Sequence, residues 1–303
     1  MLKRRLAVFI GTLLLLAAPV HAGPAGEVAV ICDQEPVPYR LLVESLKDAC
    51  NCTVRVISPE DAAREGLERR LKADGVRAVV AVGMQARATV EGLRDLPVLL
   101  TMVPRILPWV AAQTNRFGIE MSLSPRQHLD TLRRVFPRAS RIGLIFDPAQ
   151  TGDYVREARA AASALNLKLV TREIARPGEL SRRFEELRDQ VDVFWLLPDQ
   201  TVLQGENLDI LLLASFESRI PIYGFARKYV ELGAIAAAHL NPAELGDQAA
   251  RMVPLLLSTP ADAALSRWVY ARGTQLVLNQ KVARKMGIIF DPDVLEAAAD
   301  VLR

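Results

Sequence analysis

The 303-residue sequence has only three cysteines, three histidines and 6% aromatic residues, and each scarcity excludes something. Three cysteines are too few to staple a disulfide scaffold, so the fold must rest on apolar cores of ordinary size. Of the histidines, His21 falls in the leader segment described below. His128 and His239 remain, far apart in sequence and outside any recognisable triad or metal-ligand spacing. The sequence contains no GxxxxGK[ST] phosphate loop, no GxGxxG turn, no GxSxG elbow and no HExxH pair. No cofactor and no metal site is therefore expected, and an enzyme would lack a nucleophile and base constellation.

Long hydrophobic runs are also scarce. The one pronounced run, Leu6 to Val20, follows Lys3, Arg4 and Arg5 and precedes Val20-His21-Ala22. This is the basic, apolar and small-x-small order of a Sec signal peptide. At about 15 residues the run is short for a membrane span of roughly 20, so residues 1–22 are expected to be cleaved, leaving an exported protein that begins at Gly23. Removing them leaves 35 basic against 35 acidic residues. That balance withdraws compositional support for a nucleic-acid or anionic-membrane partner. The cysteines are Cys32, Cys50 and Cys52. A predicted helix of about 12 residues, about 18 Å long, separates the first two, too far for a bridge. A Cys50–Cys52 bridge and two free thiols both remain open.

From Glu27 onward, short apolar runs alternate with helical patterns. Strands are predicted at 28–32, 53–57, 78–82 and 97–101, with helices between them, including one over 60–73. Residues 103–116 break the rhythm with Pro104, Pro108 and Trp109. A second set of strands follows at 141–146, 168–174, 191–197 and 220–224. In the tail, 234–239 and 268–278 read as extended, 243–257 as a helix. This βαβ rhythm predicts two successive doubly wound parallel sheets.

In such sheets ligands bind outside the carboxyl ends of the strands, where loops and helix N-termini converge. That rule selects Gln34, Gln85, Thr101, Ser122, Asp147, Asp199, Gln200 and His239 as polar candidates. It adds Met84, Met102, Trp109 and Phe225 as apolar or stacking walls. His128, inside a predicted helix, reads as structural.

The run Ala78-Val79-Val80-Ala81-Val82-Gly83-Met84-Gln85-Ala86, followed by Pro97-Val98-Leu99-Leu100-Thr101-Met102-Val103, resembles the first-domain pattern of ABC transporter substrate-binding proteins of the tryptophan/tyrosine-type group. The likeness continues through Phe136-Pro137-Arg138 to Phe146-Asp147-Pro148, then Val191-Asp192, Asp199, Ile220-Pro221-Ile222-Tyr223, Glu231-Leu232-Gly233-Ala234 and Leu278-Asn279-Gln280 to Gly287-Ile288. The resemblance implies an α/β fold of the periplasmic binding protein type I kind, two Rossmann-like lobes with parallel sheets joined by three crossovers. The lobes are expected at 23–116 plus 241–262 and at 117–240 plus 263–303.

By the same resemblance, the protein captures a small molecule, an amino acid or similar, and delivers it to an inner-membrane ABC permease and its ATPase. A periplasmic sensor or scaffold subunit that keeps the fold without transport is the alternative. Departures cluster at the expected cleft: Met84-Gln85 stands where the family has a small Thr-Pro turn, and Ala238-His239-Leu240-Asn241 where it has Gly-Val-Asp-Tyr.

Overall fold

The computed structural model describes residues 27–258 and 267–303, so the leader segment 1–22 lies outside the described residues. The first set of elements comprises strands β1 (Glu27–Cys32), β2 (Thr53–Ile57), β3 (Val76–Val82), β4 (Val98–Thr101) and β5 (Arg116–Leu123). Helices α1 (Val37–Ala49), α2 (Pro59–Ala62), α3 (Leu67–Ala73), α4 (Gly83–Val90) and α5 (Leu107–Ala111) connect them. The second set runs α6 (Pro125–Val135), β6 (Arg141–Phe146), α7 (Pro148–Ala164), β7 (Lys168–Glu173), α8 (Leu180–Arg188), β8 (Val193–Trp195), α9 (Asn207–Ser218), β9 (Ile222–Gly224), α10 (Arg227–Leu232) and β10 (Ala236–Leu240). The tail adds α11 (Pro242–Ser258), β11 (Trp268–Ala271), β12 (Thr274–Asn279), α12 (Gln280–Lys285), α13 (Pro292–Glu296) and β13 (Asp300–Leu302).

Two sheets result, ordered β11-β5-β4-β3-β1-β2 and β13-β12-β10-β9-β8-β6-β7. Every pairing is parallel except that of β10 with β12. Strands buried on both faces must be apolar throughout, which explains the unbroken runs. Val28, Val30 and Val80 pack towards α1 and α11, while Ala29, Ile31, Val79 and Ala81 pack towards α3, α4 and α5. Helices α1 and α11 approach so closely that a Cβ on Gly246 would lie 2.2 Å from the Leu42 carbonyl oxygen. The helix expected over 60–73 is divided into α2 and α3, because Gly66 adopts a left-handed conformation between them.

The expected lobe limits shift. Phe117–Met121 does not open the second lobe. It belongs to β5, which pairs with β4 in the first sheet, and β11 adds to the same edge. The extended run 268–278 is two strands in two sheets, broken at Arg272-Gly273. Backbone hydrogen bonding decides this: an edge strand of the first sheet satisfies its ladder by pairing with β11, and helical or alternating periodicity carries no record of that partner.

The sheets are therefore joined at three places, near residues 123–125, 240–242 and 271–274. Gln127, inside the first turn of α6, ties two of them together. Its Oε1 accepts the Ser124 amide at 3.0 Å, completing a capping box, and its Nε2 donates to the carbonyls of Ala271 and Arg272 at 3.1 and 2.9 Å. Two tyrosines add contacts: Tyr154 of α7 donates to the Leu123 carbonyl at 3.0 Å, and Tyr270 of β11 donates to Glu157 of α7 at 2.8 Å. Leu240 packs against the cores of both sheets.

Cys50 and Cys52 form a disulfide, and Cys32 is a buried free thiol that donates to the Asp33 carbonyl. Burial pushes this thiol up to about 12, so it is unreactive at neutral pH.

Candidate functional site

Each sheet has a topological switch point, where successive connections leave one strand in opposite directions. In the first sheet it lies between β1 and β3, in the second between β6 and β8. Gln34 follows β1 and Met84 and Gln85 follow β3 at the first point, and at the second a hydrogen bond joins Asp147 after β6 to Asp199 after β8.

At the first switch point, β3 ends in Gly83, whose φ of +86° turns the chain directly into α4. No side chain caps that helix. Instead the ring of Tyr39, from the first turn of α1, lies against the turn: a Cβ on Gly83 would be 2.6 Å from the Tyr39 hydroxyl. Nothing local in the sequence signals that Tyr39 covers a glycine 44 positions away. Burial, with Cys32 and Asp33 nearby, raises its phenol above the usual range.

Gln34, Met84 and Gln85 are exposed. Thr101 is fully buried at the end of the adjacent β4, and its hydroxyl has no hydrogen-bond partner. Beyond it the chain is strained, with Met102 and Arg105 at φ of +57° and +55°. Each left-handed non-glycine residue costs about 1 kcal/mol or more. Glu120 holds this turn in place: its carboxylate accepts the amides of Arg105, Ile106 and Met121 at 3.0, 3.2 and 3.0 Å. Burial nevertheless raises the Glu120 carboxyl above its ordinary value.

At the second switch point the carboxylates of Asp147 and Asp199 organise the strand ends. Asp199 Oδ2 accepts the Asp147 amide at 2.8 Å and the Thr151 hydroxyl at 2.7 Å, and Oδ1 accepts the amides of Thr201 and Val202 at 3.1 and 3.2 Å. Asp147 caps α7 by accepting the Ala149 amide at 2.9 Å, and its other oxygen accepts the Thr201 hydroxyl at 2.7 Å. Neither buried carboxylate has an oxygen left unpaired. Their partners Thr151 and Thr201 were not among the sequence candidates; their hydroxyls lie two to four residues beyond the aspartates, a spacing that ordinary turns share.

Next to this network, Pro198, Gln200, Leu203, Gln204 and Phe225 line an open depression of about 550 Å³. Phe225 is backed by Tyr229, ring centroids 4.7 Å apart.

Four candidates lie elsewhere than expected or do other work. Trp109 is not a cleft wall. It is buried with Val103 and Ile106, its indole donates to Glu91 at 2.9 Å, and the Arg116 guanidinium lies 4.5 Å from its ring centroid. Arg116 opens β5, so this cluster faces the end of the strand opposite the switch point. Met102 is largely buried among Leu99 and Phe117. Ser122 is half-buried where the β5–β11 register shifts. His239 is half-buried at the end of β10, its Nδ1 3.0 Å from the Leu240 carbonyl. His128 is structural, as expected: it is buried 3.1 Å from the Tyr223 hydroxyl and beside Trp195, and burial holds its imidazole down at about 3.

Two doubly wound sheets, three crossovers at the carboxyl ends of their strands, and loop clusters at both switch points define a two-lobe binding protein. The sequence model for the ABC transporter substrate binding protein family matches residues 57–302. The chain belongs to that family, whose members bind solutes.

Solved structures agree in fold. A ligand-free, open substrate-binding protein with adhesive properties from Clostridium difficile is 19% identical, with 91% of this chain and 98% of that one covered and a TM-score of 0.65. The ABC domain from Streptococcus pneumonia in complex with L-Trp is 19% identical, with 91% and 99% covered and a TM-score of 0.53. A conserved domain protein from Vibrio cholerae is 21% identical, with 91% and 98% covered and a TM-score of 0.54. No curated protein matches the chain in sequence. Among the described residues, no helix is long and apolar enough to cross a membrane.

Proposed function

We propose that the chain is exported to the periplasm, captures a small molecule between its lobes and presents it to the permease and ATPase of an ABC transporter. One observation carries this reading: the two switch points and the three crossovers share the carboxyl ends of the strands. A solute touching both clusters would thus bias the hinge, and a partner could distinguish open from closed lobes. The L-Trp bound by the pneumococcal relative supports a ligand of amino-acid size.

The alternative sensor or scaffold role would be favoured by a closed, ligand-free cleft filled by Met84, Trp109 or arginine side chains. Trp109 is packed inside the first lobe, and Met84 is 54% exposed at the strand end.

The test is thermal melting of the mature protein, stripped of carried-over solute by unfolding and refolding. The panel would contain amino acids, nucleobases, sugars and short peptides. A ligand at 100 times its dissociation constant adds about 2.7 kcal/mol. A selective rise in melting temperature is expected; no rise across the panel, from protein shown to have refolded, would sink the solute-binding role.

A further inference from the structure

Helix α9 differs from its neighbour α8 on its outer face. Its inner face, with Leu211 and Ser215 buried, already meets the second-lobe core. Solvent should then meet polar side chains, as it does on α8, where Arg182, Glu185 and Arg188 are exposed. On α9 it meets Ile210, Leu213 and Phe216 instead, which are 41%, 61% and 45% exposed. At about 100° per residue, these three form one stripe within about 60° either side of Leu213. Leu232, 55% exposed at the end of α10, lies beside the same helix, since a Cβ on the adjoining Gly233 would be 3.7 Å from Leu212 Cδ2. Four of the eleven large apolar residues exposed among the described residues thus gather here, a cluster rather than scattered single side chains.

The charges on this helix indicate what covers the stripe. Glu206 and Asp209 are exposed at its N-terminal end and Arg219 at its left-handed C-cap, and none of the three has an ion-pair partner among the described residues. Leu213 sits near the midpoint of α9. A second copy of α9, laid antiparallel across a two-fold axis at Leu213, sets Leu213 against Leu213, Ile210 level with Phe216, and Arg219 level with Glu206 at both ends. Asp209 and Glu217 also share a level, but they fall about 40° to opposite sides of Leu213 and so on opposite flanks of the pair. Antiparallel packing opposes the two helix dipoles as well. A parallel pair would match acid with acid and cation with cation, so the complementarity is of the antiparallel helix with itself. Residues 23–303 carry 35 basic and 35 acidic residues, leaving no net charge to hold two copies apart.

We propose that the outer face of α9 is the centre of a two-fold homodimer interface, with α9 antiparallel to its partner, the apolar stripe in the middle and Arg219 paired with Glu206 at each end of the rim. A standard interface buries roughly 800 Å² on each partner, and the stripe with Leu232 supplies its apolar core. Helix α9 packs on the face of the second sheet opposite α6 and α7, the helices that contact the first lobe. Both copies therefore keep their lobes free to move.

Sedimentation velocity and light scattering of the mature protein across a dilution series are expected to show a monomer–dimer equilibrium. Leu213→Asp sets two carboxylates on the axis and should raise the dimer dissociation constant roughly tenfold or more, without altering the melting temperature of the dilute monomer. Arg219→Glu should weaken the dimer, and adding Glu206→Arg should restore it. Independently, Leu213→Cys should give an interchain disulfide on mild oxidation, whereas Ile289→Cys, 90% exposed between α12 and α13, should not. A monomer at every concentration would overturn the proposal. So would a dimer that survives Leu213→Asp, or cross-linking no better with Leu213→Cys than with Ile289→Cys. Failure of the charge exchange to restore association would overturn the antiparallel arrangement.

Discussion

Gly83 and Tyr39 set the shape of the first-lobe strand end through one contact. Alanine at position 83 would have to hold a left-handed φ and displace a phenol already within 2.6 Å of its Cβ. Gly83→Ala should therefore destabilise the fold by about 1–3 kcal/mol. The double variant with Tyr39→Ala should lose less than the two single changes added together, because the ring is then no longer there to be displaced; urea unfolding of the four proteins measures both.

His128 gives a pH signature. Its folded imidazole titrates near 3 because it is buried, whereas the unfolded chain takes up that proton near 6.5. Between these values the unfolded state binds the extra proton, so stability falls as pH drops from about 6.5 towards 3, with a slope approaching roughly 1.4 kcal/mol per pH unit. His128→Gln should flatten that slope in urea titrations across pH 4–6.5; an unchanged slope would contradict the buried, neutral imidazole.

At the level of elements, α6 does more than pack. Its capping box is ordinary, but the glutamine that completes it also fastens the chain at Ala271 and Arg272, 144 and 145 residues away. Gln127→Ala removes both functions and should cost about 1–2 kcal/mol. Gln127→Glu keeps the acceptor for the Ser124 amide and loses the donors to the two carbonyls. Comparing the two variants in thermal melts separates the cap from the fastening: if Gln127→Glu melts like the wild type, the tie between crossovers contributes nothing.

For the whole molecule, the hydrogen bond between Tyr270 of the first sheet and Glu157 of α7 bridges the two lobes beside the crossovers. Tyr270→Phe retains the ring contact with Tyr154 and loses that bond. Global stability should change by less than about 1 kcal/mol. The lobe equilibrium should shift, read as a change in radius of gyration by small-angle scattering and in ligand affinity. An unchanged scattering profile and affinity would show that the bond does not bias closure.

The two sheets were legible in the sequence because strands buried on both faces must be apolar along their length, as in Val28–Ile31 and Val79–Val82, and because Pro, Ser and Gly mark helix ends locally. The placement of Asp147, Asp199, Gln200 and Phe225 just beyond strand ends was legible as well, since a positional rule about strand ends needs only the order of elements. Sequence could not reveal which side chains turn towards each other across long separations. Trp109 reads as a loop aromatic until Arg116 and Glu91 enclose it, Tyr39 as a helix-face residue until it meets Gly83, and β11 as a continuation of β12 until β5 claims it. Local patterning sets the kind of element a segment forms. Partners in a ladder, a stacked pair or a closed carboxylate network depend on contacts that exist after the chain has folded.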